Sequence, residues 1–88
     1  MFSTVKNGFS NGFHMTFENG WTISVQIGKG NYISDREHDG QSVDAEIAAW
    51  DKNGEWYTFE DSQDQVLGWQ TPDQVLFWMN FFANMKEA

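Results

Sequence analysis

Two runs of alternating apolar residues meet at Glu18-Asn19-Gly20, and their register leaves little freedom in what they can build. Phe13, Met15 and Phe17 alternate with polar neighbours before that point, and Trp21, Ile23, Val25 and Ile27 do so after it. A period of two marks a strand with one buried face. A two-residue Asn19-Gly20 loop would set Phe17 opposite Thr22 and divide the apolar residues between both faces. A three-residue loop of Glu18, Asn19 and Gly20 instead pairs Phe17 with Trp21, Met15 with Ile23 and Phe13 with Val25. That register gives one coherent apolar face, so the spacing predicts a type I turn closed by Gly20 in the left-handed region.

The same logic predicts a second hairpin. Residues 43–50 form one strand, Lys52-Asn53-Gly54 the loop and residues 55–59 the return, with Ala49 facing Tyr57 and Ile47 facing Phe59. On its other face Trp50 meets Trp56. Residues 1–8 read as a weakly held arm or an edge strand, residues 60–65 as a polar turn and residues 66–69 as a short last strand.

Thr71-Pro72-Asp73-Gln74 opens a helix. Thr71 is a good N-cap, Pro72 occupies the first helical position where an amide hydrogen is not needed, Asp73 complements the positive helix end, and Gln74 completes a capping box. The helix is expected over residues 72–86. Val75, Trp78, Met79, Phe82 and Met85 form its core stripe, flanked by Leu76 and Ala83. Phe77 and Phe81 fall on a shoulder beyond that stripe, which makes them candidates for self-association into a homodimer.

The expected fold is therefore α+β: a single domain over residues 1–88, with an antiparallel meander sheet of four or five strands and one C-terminal helix packed on its apolar face. An 88-residue chain can bury only about two-thirds of its unfolded surface. Aromatic residues at 17% concentrate the core in a few large side chains. A net charge of −8 repels a phosphate backbone and disfavours nucleic acid as a direct ligand. With no Cys there is no disulfide, thiolate nucleophile or Cys-type zinc site, and no apolar run is long enough to cross a bilayer. No secretory apolar region follows Met1, so the cytosol is the expected compartment.

Asp35, Glu37, Asp39 and Glu46 have the spacing of an EF-hand calcium loop, with Gly40 at the turn. Glu37 stands where Asp or Asn is usual, Ser42 replaces an apolar residue and neither flank is helical, so a solvated acidic loop is preferred. Gly28, Lys29 and Gly30, with Arg36 nearby, could form an anion-binding nest for a nucleotide signal. The competing reading is a loop that needs two positive-φ glycines to leave its strand. His14 and His38 read as surface histidines, and no serine sits in a nucleophile context. No catalytic residue, resident metal or cofactor is expected, and the chain reads as a binding protein and not an enzyme. The Trp50 and Trp56 pair is the favoured site. Tyr32, Asp44, Glu46 and Glu55 accompany it in a partner-binding face, unless Phe2, Val5 and Phe9 fold across the two rings.

A further pattern spans residues 13–79. A strand Gly20-Trp21-Thr22-Ile23-Ser24-Val25-Gln26-Ile27 ends in Gly28-Lys29-Gly30-Asn31-Tyr32; Ala45-Glu46-Ile47-Ala48 follows, and Gly68-Trp69 leads to Thr71-Pro72. This order resembles a family of short uncharacterised proteins of tailed bacteriophages, in which many versions carry a Cys after Asn-Tyr where this chain has Ile33. The resemblance implies an accessory protein in the host cytoplasm that binds a host protein and inhibits or diverts it, with anti-defence action among the roles. Ten of the thirteen acidic residues lie between Asp35 and Asp64, so the acidic face is expected around the second hairpin.

Overall fold

The computed structural model describes residues 1–34 and 40–86. Five antiparallel strands follow one another in meander order: β1 (Phe2–Lys6), β2 (Asn11–Thr16), β3 (Thr22–Gln26), β4 (Ala45–Trp50) and β5 (Leu67–Gln70). The helix α1 (Pro72–Ala83) packs on one face of the sheet, so the fold is α+β.

The first alternation forms the hairpin its register demands. Phe13 pairs with Val25 and Met15 with Ile23, while Phe17 N–H donates to the Trp21 carbonyl at 2.8 Å. Gly20 has φ 93°, a conformation that would strain any residue with a β-carbon. Residues 2–6 form an edge strand on β2. Phe2 packs against Phe13, so the arm does not lie across Trp50 and Trp56.

The second hairpin forms as expected around its loop, with Ala49 facing Tyr57, and departs from expectation only beyond Tyr57. Trp50 and Trp56 form a bridge and Tyr57 N–H donates to the Ala49 carbonyl at 2.8 Å, but no strand follows. The chain turns instead, with Phe59 N–H donating to Asp64 O and Gln63 N–H to Phe59 O. Phe59 drops into the core, 2% exposed, and meets the Trp78 ring edge to face at 4.9 Å. Ile47 therefore pairs with Leu67 of β5 and not with Phe59.

The core lies between sheet and helix. Ile23, Ile47, Ala49, Phe59 and Phe82 are buried there, and burial of a large side chain of this kind stabilises the fold by about 1.5–3 kcal/mol. The capping box forms as expected, with Thr71 Oγ1 accepting from Gln74 N–H and Gln74 Oε1 accepting from Thr71 N–H. The helix ends at Ala83, three residues short of the expected Lys86. Asn19, in the first hairpin turn, supplies the reason: its side-chain amide donates to the carbonyls of Phe82 at 2.7 Å and Met85 at 3.1 Å. Trp21 Nε1 reaches the Lys86 carbonyl at 3.3 Å. These donors satisfy carbonyls that would otherwise have to continue the helix.

Candidate functional site

The sheet face away from α1 carries side chains at the alternate positions: His14 on β2, Thr22, Ser24 and Gln26 on β3, and Glu46, Ala48 and Trp50 on β4. No helix among the described residues covers it, yet Thr22, Ser24, Gln26 and Ala48 are buried. Aromatic rings close it locally. His14 and Trp50 belong to strands separated by β3, roughly 10 Å apart at the backbone, but their rings meet edge to face at 4.9 Å. They lean together over β3, opposite Ser24 and Thr22 respectively. Trp56 stacks on the outer side of Trp50 with centroids 5.2 Å apart and remains 45% exposed. Burial holds the His14 imidazole below its ordinary pKa of 6.5.

A second aromatic pair lies farther along the same face. Tyr32 joins Trp69, not the tryptophans of the hairpin, with rings stacked at 5.6 Å. Trp69 is not foreseen as a site residue. On β5, Leu67 pairs with Ile47 and Gln70 with Ala45, so Gly68 and Trp69 together oppose the single residue Glu46. This bulge puts Trp69 at φ 54°, an outlier for a bulky side chain, and directs its ring away from the helix. Both rings stay more than half exposed, and they border a cleft of about 520 Å³ completed by Ser62, Asp64 and Gln65. A glycine inside the short strand, Gly68, is the local sign of the bulge, and the pairing across the sheet is needed to see it.

Two expected partner-binding carboxylates serve the chain itself. Glu46 Oε2 accepts from Tyr32 N–H at 2.7 Å and Oε1 from the buried Asn31 amide at 3.0 Å. Asp44 Oδ1 accepts from Ser34 N–H at 2.7 Å, and the Ser34 and Ser42 hydroxyls donate to the same carboxylate. Partial desolvation raises the Asp44 pKa, but these hydrogen bonds outweigh it and hold the group below its ordinary 3.8. Both carboxylates thus fasten the loop that presents Tyr32. Glu55 is exposed beside Trp56, in the turn where its N–H donates to Asp51 Oδ1.

The Gly28-Lys29-Gly30 segment is not built as an anion cradle. Gly28 N–H donates to Asn31 Oδ1 at 2.7 Å and Gly30 N–H to the Phe9 carbonyl at 2.8 Å, so both amides are engaged within the chain. Neither glycine has a positive φ. They are required by close approach, since a β-carbon on Gly28 would lie 2.1 Å from Phe9 O. Lys29 sits over the Phe9 ring at 5.6 Å. Arg36, His38 and the calcium candidates Asp35, Glu37 and Asp39 lie outside the described residues; Glu46 is engaged as stated above. Among the described residues no group of three His, Asp or Glu side chains is arranged to hold a metal ion, and no helix is long and apolar enough to cross a membrane.

On the helix, the expected shoulder divides. Phe81 turns inward onto Tyr57 at 5.8 Å, whereas Phe77 is 59% exposed next to exposed Leu76. No family model matches this chain, and neither a curated protein nor a solved structure matches it.

Proposed function

We propose that this chain is a phage accessory protein that acts in the host cytoplasm by binding a host protein, inhibiting or diverting it without catalysing a reaction. Anti-defence action is one form this would take. The observation that carries the proposal is the pair of stacked aromatic units, Trp50–Trp56 and Tyr32–Trp69, on the sheet face away from α1. Large rings with one face in water supply affinity when a partner desolvates them. The carboxylates of the middle of the chain supply steering toward a basic partner surface, an effect that weakens as salt rises. Strain at Trp69 supports the same reading, because a bulky residue is held in the left-handed region only when its surroundings enforce it.

Affinity capture from host lysate tests the proposal, with wild type, Trp50→Ala/Trp56→Ala and Trp69→Ala compared side by side. A host protein retained by wild type and lost from both variants is expected, with retention falling as salt increases. Equal retention by all three folded proteins would reject this face as the binding surface.

A further inference from the structure

We infer that the exposed edge of β1 is a self-association surface on which a second copy of this chain adds its own β1, antiparallel, with Thr4 on the two-fold axis. The backbone directions fix this register. Met1 and Thr16 exchange both of their hydrogen bonds, Met1 N–H to Thr16 O at 3.0 Å and Thr16 N–H to Met1 O at 2.8 Å. By the alternation of an antiparallel ladder, Ser3 and Val5 also turn their backbone groups toward β2. Phe2, Thr4 and Lys6 therefore present theirs outward. Pairing Thr4 with Thr4 and Phe2 with Lys6 of the second copy uses every one of these outward donors and acceptors. A shift by two residues in either direction leaves some of them unpaired.

Side chains and charge favour the same contact. Phe2 is 72% exposed, and in this register it lies opposite the Lys6 stem of the second copy, on the same face of the sheet. Residues 1–17 contain Lys6 and no Asp or Glu, in a chain of net charge −8. Two such chains repel one another least where carboxylates are absent. The opposite edge is protected: β5 has four residues, a register irregularity and Trp69 at positive φ. β1 has five residues in unbroken register, with Lys6 as its one charged side chain. An unbulged edge of this kind is a template for another strand. A two-fold axis through Thr4 would merge the sheets with both helices on one side, leaving both Trp50–Trp56 units on the other. The contact stands independently of the identity of any host partner.

Sedimentation equilibrium at tens of micromolar, combined with amide exchange by NMR, tests this. Wild type is expected at twice the 10.2 kDa chain mass, with the amides of Phe2, Thr4 and Lys6 exchanging more slowly as concentration rises. Thr4→Lys places like charges opposite each other, and Thr4→Pro removes an N–H that bonds nothing within the chain. Each is expected to weaken the dimer by about tenfold or more. Phe77→Ser/Phe81→Ser is expected to leave it intact. A monomeric wild type, a dimer unaffected by Thr4→Lys, or a dimer lost only in the helix variant would overturn the proposal. Should either Thr4 variant fail to fold, the exchange pattern in wild type decides: concentration-independent exchange at Phe2, Thr4 and Lys6 overturns it.

Discussion

The two faces of the sheet use aromatic residues in opposite ways. On the helix side, Phe59, Phe82, Trp78 and Tyr57 interlock mostly edge to face, with Phe59 and Phe82 almost wholly removed from water. On the other side, Trp50–Trp56 and Tyr32–Trp69 are stacked side by side with outer surfaces exposed. Under the proposed function the difference separates tasks. Rings that surround one another exclude water and stabilise the fold, whereas rings stacked at a surface add less stability and keep area for a partner. Polar groups divide similarly: Glu46 and Asn31 shape the helix-free side, while the helix side meets polar residues mainly at its ends, through Asn19 and Gln70.

The largest expected effect lies on the helix side. Phe82→Ala should remove about 3–5 kcal/mol of stability by opening a cavity at the centre of the core, measured by urea unfolding. A loss below that of any single change on the opposite face would break the distinction. Asn19→Ala comes next, at about 1–3 kcal/mol, because the part-buried Phe82 carbonyl loses its side-chain donor and the helix end comes loose. Far-UV circular dichroism should register the frayed last turn.

On the helix-free side, Glu46→Ala should lower stability by about 1–2 kcal/mol. Its sharper signature is a changed tryptophan emission, since the Tyr32 loop loses its anchor beneath Trp69. Unaltered emission would detach that loop from Glu46. The smallest effect belongs to His14. Burial depresses its pKa in the fold, so the unfolded chain takes up the proton first and stability falls as pH drops below 6.5, levelling off below the folded pKa. His14→Phe keeps a ring against Trp50 and should flatten that part of the profile. Asp44, whose folded pKa lies below 3.8, contributes stability above that value that is lost as pH falls through its folded pKa, a separate and lower window.

On the helix side the first hairpin and the helix start were legible in sequence because their information is local, whereas the turn that drops Phe59 into the core was not. Alternation fixed the β2–β3 register, and Thr71 to Gln74 fixed the helix start. The Trp50–Trp56 contact was legible for the same reason, being set by a short loop. The Tyr32–Trp69 pair was not. It depends on a bulge seen only when β5 is laid against β4, and on Glu46 bonding a loop fourteen residues earlier in the chain. That Glu46 and Asp44 fasten the residues 31–34 segment was not legible either, because the amide and hydroxyl donors they bind are brought to them by the path of that segment and not by strand periodicity. The helix end was missed likewise, because its cap comes from Asn19, far away in sequence.

Equilibrium unfolding of Trp50→Ala/Trp56→Ala tests the division of tasks most directly. If the pair is a recognition surface, the double variant should unfold cooperatively with a loss of about 1–2 kcal/mol, the stacking and partial burial of the two rings. A loss equal to or greater than that of Phe82→Ala would make the pair a second core and contradict the account.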